Sequence, residues 1–242
     1  MTEHIELINH KGLVLRGYGI FPPAAKKAVV FFHGYTGNKT EHNGFFRTMA
    51  RKLAVEGIAS IRFDYANNGE SDGEFIDFRF DDAVEDAKRI LCYAESLGYE
   101  VMVLGYSMGG AIAELVCLEA PITKMVLWSP AGNMYGRLKK RFDEAPKNEK
   151  GLMVLPGFVI HSDLVASFNR NDYFRQAKSY SREVLVVHGT KDQAVDYLIG
   201  VEYATHFPKS HLYPIEGAGH GYDSEWMQEK LFAVSLEFLK KD

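Results

Sequence analysis

A serine, an aspartate and a histidine in this chain stand in local contexts suited to acyl-transfer chemistry. Gly105-Tyr106-Ser107-Met108-Gly109 follows the apolar run Val101-Met102-Val103-Leu104 and leads into Gly110-Ala111-Ile112-Ala113-Glu114-Leu115, a helical pattern. A G-x-S-x-G between a strand and a helix is a sharp, strained turn that presents the serine hydroxyl at the carboxyl edge of a sheet. The flanking glycines are needed because neighbouring backbone passes too close for a side chain. A dinucleotide-binding reading fails, because the third glycine of G-x-G-x-x-G is out of register here.

A serine hydroxyl is a poor nucleophile at neutral pH and needs a base to take its proton. Of the nine histidines, His220 fits best. It stands in Gly217-Ala218-Gly219-His220-Gly221, after the last strand-like run and before a C-terminal helix. His188 closes a strand, His33 begins a loop, and His4, His10 and His42 lie near polar segments; His161 is the main rival as a group that touches substrate. The base must be held in one tautomer by a carboxylate, which also stabilises the imidazolium as it forms. Asp192 lies just past Val184-Leu185-Val186-Val187-His188-Gly189, at the end of a buried strand and between Ser107 and His220 in chain order. Asp196 is the runner-up, and Asp163 is the poorer candidate. The oxyanion formed on attack needs amide donors. The backbone N–H groups of Met108, on the elbow, and of Tyr35, in His33-Gly34-Tyr35, are the candidates.

The elements that must position these groups follow from the apolar runs. Ala28 to Phe32, Ile58 to Phe63, Val101 to Tyr106, Met125 to Trp128, Val184 to His188 and His211 to Ile215 alternate with helical patterns. That alternation predicts a mostly parallel, twisted sheet with helices on both faces. Ile5 to Leu7 and Leu13 to Tyr18 flank Asn9-His10-Lys11-Gly12, a hairpin entry to the sheet. Ala83, Val84, Ala87, Ile90, Leu91 and Ala94, and later Met227, Leu231, Val234 and Phe238, mark helices packed on it. From about residue 131 to 183 no clean strand is visible, and a simple crossover needs far less chain. The expectation is one domain over 1–242 with an ordered lid inserted there, its apolar side chains placed to cover Ser107 and its aromatics Phe158, Phe168 and Phe174 either sharing in that cover or forming the lid's own small core.

Composition excludes several classes. The chain is 46% hydrophobic and 25% charged, ordinary for a soluble globular protein. A net charge of −4 gives no electrostatic case for nucleic acid. The basic run Arg137, Lys139, Lys140 and Arg141 is followed at once by Asp143 and Glu144 and reads as a solvated face. Residues Met1 to Asn9 lack the pattern of a signal peptide and no apolar run approaches membrane-spanning length, so a cytoplasmic protein is expected. Cys92 and Cys117 read as buried thiols outside any redox or metal motif. Neither a metal nor an organic cofactor is called for, and the partners expected are a small-molecule ester and, left open, a second copy of the chain.

Taken together, His33-Gly34-Tyr35, Phe63-Asp64-Tyr65 with Gly69-Glu70-Ser71-Asp72-Gly73, the elbow at Ser107, His188-Gly189-Thr190-Lys191-Asp192 and Gly217-Ala218-Gly219-His220 resemble the α/β-hydrolase superfamily. More narrowly, the chain is similar to small bacterial carboxylesterases of the cinnamoyl and feruloyl type, in which a lid inserted after the sixth core strand covers the site. Met108 stands where that group often has Gln, and Ala66-Asn67-Asn68 replaces a commoner Gly-His pair before Gly69. The resemblance implies an α/β-hydrolase fold and ester hydrolysis through an acyl-enzyme on Ser107, with hydroxycinnamoyl or short-to-medium acyl esters as substrates. A thioesterase, a monoacylglycerol lipase, an acyltransferase and a non-catalytic small-ligand-binding protein remain as alternatives.

Overall fold

The computed structural model describes residues 1–132, 134–170 and 173–241. The chain opens with an antiparallel hairpin, β1 (Thr2–Ile8) and β2 (Val14–Ile20). There follow β3 (Lys27–Phe32), β4 (Ala59–Phe63), β5 (Glu100–Tyr106) and β6 (Lys124–Trp128), and after the inserted segment β9 (Glu183–Gly189) and β10 (Ser210–Ile215). These make one eight-stranded sheet in the order β1-β2-β4-β3-β5-β6-β9-β10, in which β2 runs antiparallel to β4 and every neighbour from β4 onward is parallel. The near-continuous Val, Ile, Leu and Phe runs suit strands buried on both faces.

Alternation along each strand divides the core in two. Val30 and Phe32 of β3 and Val101 and Val103 of β5 face one side, together with α2 (Phe80–Ser96) and α3 (Met108–Leu115). Val29 and Phe31, with Met102 and Leu104, face the other, against α1 (Phe45–Val55) and α7 (Glu225–Lys240). Every apolar position that marks α2 in the sequence is buried. The exception on that helix is Cys92: it is exposed, because it follows Leu91 and turns away from the sheet, whereas Cys117 is buried and burial pushes its thiol up to about 12.

The segment between β6 and β9 holds α4 (Tyr135–Glu144), α5 (Ser162–Ser167) and a short antiparallel hairpin, β7 (Met153–Leu155) and β8 (Phe158–Ile160). Its residues 133, 171 and 172 lie outside those described. The hairpin escapes the sequence reading because each strand is only three residues long. Three aromatics of this segment pack against the body of the fold, and its apolar residues at the Ser107 cavity include Met134 and Leu138. Phe158 packs on Phe75, Phe168 stacks on Phe80 with rings 4.5 Å apart, and Phe174 stacks on His206 of α6 (Tyr197–His206). They fasten the segment to the sheet's helical layer, since burial of ring area against the existing core outweighs exposure at a cavity rim.

Candidate active site

The carboxyl ends of β3, β5, β9 and β10 carry the loops that meet at Ser107. The elbow after β5 is as strained as its motif requires: Ser107 has φ 54° and ψ −118°, a left-handed backbone that is costly for a residue with a Cβ. The glycines around it have no room for one. A Cβ on Gly105 would strike the Gly109 carbonyl, one on Gly109 would strike the Phe32 carbonyl, and one on Gly110 would lie 2.6 Å from Pro130 Cβ. Close packing of α3 against β3 and β5 is therefore what holds the turn.

His220 and Asp192 reach Ser107 from neighbouring loops that are tied to each other. The Lys191 amide donates to the Ala218 carbonyl at 2.9 Å, the Thr190 amide to Ile215 at 3.1 Å and the Gly217 amide to Thr190 Oγ1 at 2.9 Å. His220 Nδ1 lies 2.7 Å from Asp192 Oδ2, and His220 Nε2 lies 3.0 Å from Ser107 Oγ. A carboxylate only accepts, so Nδ1 carries the proton and Nε2 is free to accept from the serine hydroxyl. Tyr106 braces the ring, stacking on it at 5.1 Å and donating from its hydroxyl to the His220 carbonyl at 2.9 Å.

Asp192 is fully engaged. Its Oδ1 accepts the Ala194 and Val195 amides, each at 2.8 Å, and its Oδ2 faces both His220 and, at 3.4 Å, His188 Nε2. Burial on its own would raise the Asp192 carboxyl, but the hydrogen bonds from His188 and His220 outweigh it and hold the group well below the usual carboxylate range. Asp196 takes a different part, accepting the Leu198 amide at 2.8 Å as the N-cap of α6. His161 caps α5, its Nδ1 accepting the Asp163 amide at 3.1 Å, and it lines neither cavity beside Ser107. His188, read only as a strand-ending residue, sets its Nε2 3.0 Å from the Val195 carbonyl and 3.4 Å from Asp192 Oδ2, so it backs the loop that carries Asp192.

Both candidate amide donors are aimed by their own peptide planes. In a trans peptide the carbonyl of one residue and the N–H of the next point in opposite directions. The Gly34 carbonyl is held by the Gly37 amide at 3.1 Å and by His33 Nδ1 at 2.9 Å, which turns the Tyr35 N–H the other way. The Ser107 carbonyl accepts the Gly110 and Ala131 amides, each at 2.9 Å, which does the same for Met108, the first residue of α3. As a helix-starting amide, Met108 N–H has no acceptor within its helix.

The loop bearing Tyr35 rests on a residue the sequence reading missed. Glu41, buried and at φ 61°, accepts the Gly34 amide at 2.5 Å and the His42 amide at 2.8 Å. Burial raises its carboxyl, and the two amides offset this in part. No motif flags it; the one available signal is an acidic residue among Gly34, Gly37 and Gly44. Below it, Lys39 and Asp64 form a buried pair at 2.5 Å, and Asp64 also accepts the Lys39 and Glu70 amides. The Phe63-Asp64-Tyr65 motif is thus a fastening for this loop; removing one partner of such a pair typically costs about 3–5 kcal/mol.

Two cavities meet at Tyr35, Ser107 and His220. The first, about 430 Å³, is walled mainly by Ala131, Met134, Leu138, Val195 and Ile199, with Arg137 and Arg141 also on its lining. The second, about 410 Å³, is polar, with Thr36, Asn38, Glu41 and His42 on its walls. Among the described residues no group of three His, Cys, Asp or Glu side chains converges as metal ligands, and no helix is long and apolar enough to cross a membrane.

A mostly parallel sheet of this order, with a serine on a strand-to-helix elbow and a hydrogen-bonded histidine beside it, is the arrangement of the α/β-hydrolase fold. The chain belongs to the family described as serine aminopeptidase, S33, which its residues 23–160 match. It is 34% identical to human monoglyceride lipase over 117 residues, a match that spans 45% of this chain and 37% of that enzyme. Among solved structures it superposes on Est1E from Butyrivibrio proteoclasticus with ferulic acid bound, with a TM-score of 0.81 at 24% identity over 98% of this chain and all of the other. A hydrolase from Agrobacterium vitis S4, itself described only as putative, gives a TM-score of 0.81 at 19% identity over the full length of both chains. At these identities the superpositions establish the fold.

Proposed function

We propose that this chain hydrolyses carboxylic esters through an acyl-enzyme on Ser107. The observation that carries the reading is the line from Asp192 Oδ2 through His220 to Ser107 Oγ, at 2.7 and 3.0 Å. Ser107 attacks the ester carbonyl while His220 Nε2 takes its proton, and the Tyr35 and Met108 amides hold the oxyanion. The imidazolium, stabilised by Asp192, then protonates the departing alcohol. Water activated by the same Nε2 attacks the acyl-enzyme and releases the acid and the free serine.

The apolar cavity suits the hydrocarbon of an acyl group, and the polar one suits the alcohol. The segment from 131 to 183 acts as the lid, with Met134, just before α4, and Leu138 of α4 forming one wall of the acyl cavity. Peptide hydrolysis at a free amino terminus, the activity in the family's description, finds less support. A protonated amine needs an available carboxylate, while Asp196 and Glu41 are held by backbone amides and two arginines line the apolar cavity. Likeness to human monoglyceride lipase and to Est1E favours acyl esters, hydroxycinnamoyl esters among them.

The test is turnover of p-nitrophenyl acyl esters by the wild type and by Ser107→Ala. Loss of the nucleophile from such a triad costs on the order of a million-fold in kcat, with the fold retained by circular dichroism. Near-normal turnover by folded Ser107→Ala would overturn the assignment.

A further inference from the structure

All four basic residues of the run on α4 are exposed, as a solvated face requires, but they differ in what they border. Lys139 pairs with Asp143 at 2.5 Å and Lys140 with Glu144 at 4.0 Å, one helical turn apart on the outer side. Arg137 and Arg141 are also one turn apart, and the helical period sets them between Leu138 and Lys140, at the exposed rim of the apolar cavity whose lining they share with Leu138. Neither has a carboxylate partner among the described residues. Arg137 Nη2 donates to the Gln193 carbonyl at 3.0 Å, across the cavity from α4. Among the described residues Asp196 is the one carboxylate on that lining, and it is bound to the Leu198 amide as a helix cap. Behind the arginines, the Tyr35 hydroxyl is buried with no hydrogen-bond partner.

We infer that this pair of guanidinium groups selects esters whose acyl chain ends in an anionic group, a carboxylate being the simplest. The geometry has the two parts such a ligand requires. The hydrocarbon lies along Met134, Leu138 and Ile199, next to Ser107, and the terminal oxyanion meets planar donors that favour paired contacts with carboxylate. The two lysines are each paired with a carboxylate of α4 itself, whereas the two arginines border the cavity.

The inference rests on the esterase reading above, and its test separates the two. Mono-p-nitrophenyl adipate and p-nitrophenyl hexanoate have acyl chains of equal length and the same leaving group, and differ in the terminal carboxylate. The readout is the ratio of their kcat/KM values, which does not depend on the fraction of protein folded. The wild type is expected to favour the adipate ester about tenfold, the scale of one charge-assisted contact at a partly exposed rim, and to lose that preference as salt is raised. Arg137→Glu/Arg141→Glu should invert the ratio. A wild type that favours hexanoate, or a ratio that charge reversal leaves unmoved, overturns the inference while leaving ester hydrolysis in place. Turnover of neither ester by the wild type overturns both.

Discussion

At the scale of single residues, the division of labour between two neighbouring aspartates is the sharpest consequence of the site. Asp192 accepts from His220 and from two backbone amides, whereas Asp196 ends a helix. Asp192→Asn puts an amide where an acceptor is needed and favours the wrong imidazole tautomer, which typically costs about 10⁴-fold in kcat. Asp196→Asn keeps a competent helix cap and should change kcat little. Steady-state kinetics on one p-nitrophenyl ester decides it, and a larger loss in Asp196→Asn would show that the acid is misassigned. The same carboxylate sets a pH dependence. Its folded pKa is depressed, so its stabilising contribution is complete above the range in which an unfolded aspartate titrates, about pH 4, and is lost as pH falls from there toward the folded value. In urea melts, Asp192→Asn should therefore show a shallower acid loss of stability than the wild type.

The three residues that carry a local sequence signature, Ser107 by its strand, turn and helix context and His220 and Asp192 by chain order at strand ends, are the ones the fold joins in one hydrogen-bonded line. What escaped has no such signature. Glu41 acts on backbone amides across a left-handed turn, and such contacts are set by loop conformation. Arg137 and Arg141 looked like their lysine neighbours, because composition does not record which side of a helix meets a cavity. Cys92 was expected to be buried, yet the phase of α2 turns it outward.

At the scale of elements, the elbow works because α3 lies almost against β3. Gly109→Ala would press a methyl group into the Phe32 carbonyl. Backbone atoms cannot step aside as a flexible side chain does, so a loss of about 1–3 kcal/mol or more is expected. Gly136 in α4 offers the opposite case. It is helical, with nothing within 4 Å of an added Cβ, so Gly136→Ala should stabilise by up to about 1 kcal/mol. Thermal melts of the two variants should move in opposite directions from the wild type; a Gly109→Ala Tm equal to that of the wild type would mean that α3 and β3 are not so tightly packed. The parallel strands were readable from their apolar runs. The three-residue strands β7 and β8 were not, since so short a pattern does not rise above its surroundings.

At the scale of the whole molecule, the sheet brings together loops separated by more than a hundred residues. His220 and Ser107 are 113 positions apart and Asp192 and His220 are 28 apart, yet one hydrogen-bonded line joins them. The order of strands puts β3, β5 and β9 close enough for their carboxyl ends to share a site, the general location of ligands in open α/β sheets. Acyl transfer through Ser107 is the central claim, and covalent capture tests it most directly. The wild type treated with a fluorophosphonate and read by intact mass spectrometry should gain one adduct, which peptide mapping places on Ser107. His220→Ala should label far more slowly, because the hydroxyl then has no base. An adduct on another residue, or no adduct on protein shown to be folded, would contradict it.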